Sequence, residues 1–197
     1  MVTIVLEKRI ATKGSLMNTF IALFRGINVG GRNKLLMREL VNILENIGLQ
    51  NVRTYIQSGN VIFDTPTKTS AKLKGQLEKA IRRKYNFNVP VVIRTKRELA
   101  KIITNIPFNK LNPTEDGAKV LVTFLSETPE EINSSNIQQY VKLPEKLIVK
   151  DKEIYLHCPN GYGKSKLTNN FLEKKLVVQA TTRNWKSVIK LWELSHQ

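Results

Sequence analysis

Two glycine-rich segments carry most of the residues able to do chemistry. The first runs Arg25-Gly26-Ile27-Asn28-Val29-Gly30-Gly31-Arg32-Asn33-Lys34, and the second runs Pro159-Asn160-Gly161-Tyr162-Gly163-Lys164-Ser165-Lys166. Glycine permits positive φ and close backbone approach, and a helix that starts just after such a loop aims free N–H groups at an anion. In the first loop Arg25, Gly26, Asn28, Gly30 and Gly31 read as an anion cradle, or equally as a tight crossover that needs glycines for its own geometry. Its spacing matches neither the dinucleotide fingerprint nor a P-loop. In the second, Gly163-Lys164-Ser165 imitates the end of a Walker A motif, but Cys158 stands where that motif needs its first glycine. P-loop hydrolysis is therefore disfavoured, while phosphate binding by Gly161, Tyr162, Gly163, Lys164, Ser165 and Lys166 stays open.

Two further segments are polar in suggestive places. Tyr55-Ile56-Gln57-Ser58-Gly59-Asn60 sets Gln57, Ser58 and Asn60 around a hairpin, where such side chains usually satisfy the turn's own backbone. Thr181-Thr182-Arg183-Asn184-Trp185 is expected to open a final helix, with Thr182 or Asn184 as cap and Arg183 able to reach an anion. Nucleophilic chemistry has less support. His157 and Cys158 are neighbours in an expected strand and so point to opposite faces. With one cysteine and two histidines, neither a disulfide nor a zinc set can be assembled, and no metal is expected. Glu115-Asp116 reads as a solvated turn, and the basic helices lack the interleaved aromatics of a base-stacking platform.

Positioning these segments requires an ordered set of elements. Phe20 to Phe24 is a continuous apolar run, the mark of a strand covered on both faces. Leu36, Met37, Leu40, Val41, Leu44 and Ile47 keep helical spacing up to Gly48. Val52 to Gln57 and Asn60 to Asp64 read as a hairpin about Ser58-Gly59, Leu73 to Ile81 as a basic amphipathic helix, and Pro90 to Arg94 as a fourth strand. A short helix over 96–104 and a loop with Pro107 and Pro113 follow. The order then repeats: a strand at Val120 to Leu125, and a helix from a Thr128-Pro129-Glu130-Glu131 capping box to about Tyr140. A hairpin about Asp151-Lys152, a helix near 167–176 and a short strand near 177–180 complete it. Trp185, Val188, Ile189 and Trp192 define a last helix with inward tryptophans. The expectation is an α+β fold of two ferredoxin-like, βαββαβ-type halves plus a C-terminal helix. The parts expected are an extension (1–16), a first half (17–95), a connecting helix and loop (96–117) and a second half with the helix (118–197).

The chain has 197 residues, 41% of them apolar, enough for a substantial core. Its net charge of +16 is uneven: residues 1–95 hold 16 basic and 5 acidic side chains, whereas 96–197 hold 16 and 11. Such a field attracts phosphate-bearing polymers or ligands, although basic composition often serves solubility alone. No apolar run is long enough to span a bilayer, and in 1–16 the charged Glu7-Lys8-Arg9 follows the apolar stretch, the reverse of a signal peptide. A cytoplasmic protein with no membrane partner is expected.

Together Ala22–Gly31, Thr54–Val61, Gly161–Leu167 and Ala180–Trp185 resemble the bacterial family catalogued as domain of unknown function 1697, over about residues 17–194. The resemblance implies a cytoplasmic protein with ferredoxin-like halves, and it supplies no reaction or cofactor. Three readings follow. In the first, the loops and Arg183 converge and bind a nucleotide or nucleic-acid phosphate. In the second, Arg25, Tyr162, Ser165 and Arg183 serve a phosphorylated or acyl substrate. In the third, the motifs only fold the chain and exposed edges support a homodimer.

Overall fold

The computed structural model describes residues 17–108 and 115–197, so the segment 1–16 and the part of the connecting loop with Pro113 lie outside the described residues. β1 (Asn18–Phe24) is apolar without interruption because its two faces meet different cores. Phe20, Ala22 and Phe24 enter one cluster and Ile21 and Leu23 another, the alternation of a strand. α1 (Met37–Asn46) and α2 (Ser70–Tyr85) cover the first face with Leu40, Leu44, Leu73, Leu77 and Ile81. β2 (Gln50–Tyr55), β3 (Asn60–Thr65) and β4 (Val91–Thr95) complete an antiparallel sheet of order β2-β3-β1-β4, the order a split βαβ unit produces.

α3 (Lys96–Thr104) starts from a capping box, in which the Glu98 N–H donates to Thr95 Oγ1 and the Thr95 N–H to the Glu98 carboxylate, at 3.1 and 2.7 Å. β5 (Val120–Leu125), α4 (Glu131–Asn136), β6 (Lys146–Lys150), β7 (Glu153–His157), α5 (Asn169–Leu176) and β8 (Ala180–Asn184) then repeat the pattern. The second sheet has the order β6-β7-β5-β8, and α6 (Trp185–Leu194) ends the regular structure. The fold is thus α+β, with two ferredoxin-like halves and a C-terminal helix. The inner faces of both sheets share one core: Ile21, Leu23 and Val92 meet Val122, Phe124 and Tyr155, and α3 and α6 add Leu99, Trp185 and Val188. A third cluster lies under α5, through Leu172 and Leu176.

Four local features differ from expectation. α4 begins at Glu131 with Glu130 as N-cap and no side-chain cap bond, so the Thr128 capping box does not form. The helix expected to continue to Tyr140 gives way to a 3-10 turn at Ile137–Tyr140. The β2–β3 connection runs from Ile56 to Gly59, with φ of 50° and 73° at its ends, and is longer than a Ser58-Gly59 turn. β8 occupies Ala180–Asn184 instead of 177–180, where Val177 is still the C-cap of α5, in the left-handed region at φ 58°.

Candidate functional site

Asn184 caps α6 as expected, accepting the Ser187 N–H at 2.8 Å, while Arg183 just before it lies on β8 and its side chain crosses to the first half. Nε donates to Asn60 Oδ1. Nη1 donates to Thr181 Oγ1 at 2.8 Å and to the Thr182 carbonyl at 2.9 Å. Nη2 donates to the carbonyls of Phe24 and Ser58, at 2.9 and 3.0 Å. All these acceptors are neutral. Burial lowers the guanidinium pKa to about 10, so it keeps its charge at neutral pH with no carboxylate bonded to it.

The register of the two sheets gives this residue a counterpart. Arg94 pairs with Ile21 on β1 as Arg183 pairs with Val122 on β5, and Asn60 pairs with Leu23 as Glu153 pairs with Phe124. Arg94 reaches the opposite way. It donates to the carbonyls of Ile93, Leu125 and Lys152, at 2.9, 2.8 and 3.0 Å. Its Nε donates at 2.9 Å to Glu153 Oε1, an ion pair with side chains 5% and 13% exposed. Each half thus sends one arginine into the strand end and hairpin of the other, but only Arg94 meets a carboxylate. Where the second half has Glu153, the first has Asn60.

Arg183 forms part of the floor of a cleft of about 540 Å³ between the halves. Arg25, Gly26 and Val29 come from the first loop, Ile56 and Ser58 from the β2–β3 turn, and Tyr162 from the second loop. Thr168, Asn169 and Asn170 open α5, and Thr182, Asn184 and Ser187 come from β8 and α6. Arg25 ties the halves together: Nε donates to the Ala180 carbonyl at 2.9 Å, and Nη2 to Asn170 Oδ1 and the Glu173 carboxylate at 2.6 and 2.7 Å. Glu173 therefore neutralises Arg25, whereas Arg183 has no carboxylate partner among the described residues. Thr182 Oγ1 donates to Asn169 Oδ1 at 2.6 Å, and Tyr162 Oη lies 3.3 Å from both Thr182 Oγ1 and the Leu167 carbonyl. Burial raises the Tyr162 pKa, so its hydroxyl is a hydrogen-bond donor and not a base. Among the described residues, no carboxylate, histidine or cysteine lines the cleft.

Seven of the residues singled out from the sequence line this cleft: Arg25, Gly26, Ser58, Tyr162, Thr182, Arg183 and Asn184. Asn60 stands behind them, its amide donating to the Tyr55 carbonyl and Ser58 Oγ. The others serve their own loops. Asn28, at φ 55°, bonds the Leu35 and Gln57 carbonyls and the Leu35 N–H, while Gln57 is exposed. Gly30 and Gly31 take positive φ at a loop tip closed by the Val29–Arg32 bridge. Gly161 supplies φ 90° before a 3-10 turn, Tyr162–Lys164, and buried Ser165 accepts the Leu167 N–H at 3.1 Å. Gly163, Lys164 and Lys166 are exposed outside the cleft. Thr168, Asn169 and Asn170 were missed, although a Thr-Asn-Asn run ahead of apolar Phe171 and Leu172 is a readable helix start. Among the described residues, no group of three His, Cys, Asp or Glu side chains could hold a metal ion, and no helix is long and apolar enough to cross a membrane.

The fold and cleft define a class of protein with two fused ferredoxin-like halves that share a polar groove. The chain belongs to the DUF1697 family, described as proteins of unknown function, whose model matches residues 17–155. It is similar to the solved structure of conserved bacterial protein SP0830 from Streptococcus pneumoniae, with 25% sequence identity and a TM-score of 0.72. The likeness covers 91% of this chain and 99% of that one. No curated protein matches.

Proposed function

We propose that the cleft between the halves binds a small anionic ligand whose phosphate or similar group sits in the field of Arg183. The observation that carries this reading is the buried Arg183 guanidinium, bonded to neutral acceptors where its counterpart Arg94 has Glu153. A buried cation without a counter-ion is costly, and an anion in the adjoining cleft recovers that cost. Because the five Arg183 N–H groups are engaged, this residue contributes charge, while the hydroxyls and amides of Ser58, Asn169 and Asn170 offer direct contacts. The volume of about 540 Å³ suits a nucleotide-sized molecule. Acid–base or nucleophilic catalysis has no corresponding support, since the lining holds neither a proton acceptor of suitable pKa nor an activated nucleophile.

The test is thermal unfolding and titration calorimetry with AMP and inorganic pyrophosphate at low ionic strength. Both probes are expected to raise the Tm of the wild type. Asn60→Asp gives Arg183 its missing carboxylate and is expected to abolish the shift while the protein stays folded by circular dichroism. Arg25→Ala, which frees the Glu173 carboxylate beside the cleft, should weaken it, and Lys166→Ala should leave it unchanged. Absence of any shift, or a shift in Asn60→Asp equal to that of the wild type, would overturn the reading.

A further inference from the structure

A second cationic feature stands apart from the cleft. The outer face of α2 exposes Lys72, Lys79, Arg82, Arg83 and Lys84, and none of the five has an ion pair among the described residues. The one acid of this helix, Glu78, is occupied: its carboxylate accepts the Val91 N–H at 3.0 Å and lies 4.0 Å from Lys74. Arg82, Arg83 and Lys84 also complement the dipole at the helix C-terminus, a stabilising role that needs no partner. That role does not account for Lys72 or Lys79, nor for the shape of the surface.

The face carries a shallow, open depression. It measures about 790 Å³ and is lined by Gly75, Glu78, Lys79, Arg82 and Arg83 of α2 and by Asn86 and Asn88 just after it. Gly75 sits inside the helix without positive φ, and a Cβ added there would meet nothing within 4 Å. A mid-helix glycine costs roughly 0.5–1 kcal/mol relative to alanine, and among the described residues no neighbour packs close enough to require this one. The absence of a side chain on this open basic surface leaves room for close approach of another molecule's backbone.

We infer that the outer face of α2 is a docking surface for the phosphate backbone of a nucleic-acid duplex, independent of the cleft. Lys72 to Arg83 spread the charge over ~16 Å of helix axis, a length along which a duplex carries roughly ten phosphates. Tyr85 and Phe87 pack against each other and the core, so the surface has no free ring for base stacking and reads the backbone. An anionic membrane fits less well, because no large apolar side chain is exposed on α2 to enter a bilayer.

The experiment is fluorescence anisotropy of a labelled 20-base-pair duplex of arbitrary sequence, across a salt series, with the full chain. Binding is expected to weaken with salt at a log–log slope of about −4, near 0.9 for each phosphate contact. The triple variant Lys79→Gln, Arg82→Gln, Arg83→Gln should reduce that slope by roughly 3. An equal-charge control, Lys142→Gln, Lys146→Gln, Lys150→Gln, removes exposed lysines elsewhere and should change it by less than about 1. Gly75→Gln should weaken binding several-fold without lowering Tm, and Asn60→Asp, a cleft variant, should bind the duplex as the wild type does. Equal effects of the two triples would reduce the binding to diffuse attraction by net charge and overturn the site. So would unchanged binding by Gly75→Gln, or binding to phosphatidylserine vesicles but not to duplex.

Discussion

A single amide in place of a carboxylate distinguishes the two arginine clamps. Asn60 and Glu153 hold matching register positions and accept from matching Nε groups, so the difference in local charge comes from this pair. Cys158 shows the opposite case, a reactive residue type made inert by its surroundings. It is 1% exposed, and burial, with a smaller contribution from Glu145, pushes its thiol from 9.0 to about 11. At pH 8 the native thiolate population is therefore roughly 100-fold below that of an ordinary cysteine. Alkylation by iodoacetamide is expected to be slower in the native protein than in urea by at least that factor. Equal rates would show that the thiol is accessible. The sequence disclosed that Cys158 and His157 cannot pair as strand neighbours and that Arg183 and Arg25 are candidates for anion contact. It could not disclose that Arg25 is neutralised by Glu173, because that contact joins residues far apart in the chain.

The elements were legible where a hydrophobic period exists and illegible where hydrogen bonds replace it. β1, α3 and β5 fall where the apolar pattern puts them. β8 does not, since Arg183 is buried through polar contacts to the other half and Thr181 accepts from Arg183, so the strand offers no apolar alternation to read. The β2–β3 turn was legible as a hairpin but not in its detail. Gly59 adopts φ 73°, and a Cβ there would lie 2.6 Å from Ile27 Cδ1 and 2.7 Å from Phe24 Cβ. Strain and overlap together make Gly59→Ala costly by about 2–3 kcal/mol, a Tm loss of roughly 5–10 °C. Gly26→Ala meets nothing within 4 Å at φ 72° and should lose only about 1 kcal/mol. Because Gly59 sits between Ser58 and Asn60, Gly59→Ala is also expected to reduce the AMP-induced Tm shift, whereas a purely local role would leave that shift intact.

At the scale of the whole molecule, the halves are held by a shared apolar core and by reciprocal arginines whose environments differ in charge. One consequence is a pH dependence in the acid range on the Glu153 side. Burial raises the Glu153 pKa above its ordinary 4.5, with Glu98 and Asp151 adding to the rise, while Arg94 opposes it through its charge and its hydrogen bond. A carboxyl with a raised folded-state pKa binds more protons in the folded than in the unfolded chain. Its contribution to stability is therefore fully present below the unfolded value and is lost as pH rises from about 4.5 through the folded value. Glu153→Gln removes the titrating group and keeps its size and its acceptor for Arg94 Nε. Urea unfolding of both proteins in steps upward from pH 4 is expected to show the stability difference, wild type minus variant, declining as pH rises through this window and becoming flat above it. The variant also leaves Arg94 without a counter-charge, as Arg183 is in the wild type. Pyrophosphate at neutral pH should then raise the Tm of Glu153→Gln more than that of the wild type, because two buried guanidinium groups lack carboxylates instead of one. An equal shift in the two proteins would show that the asymmetry between Asn60 and Glu153 does not set where the molecule attracts anions.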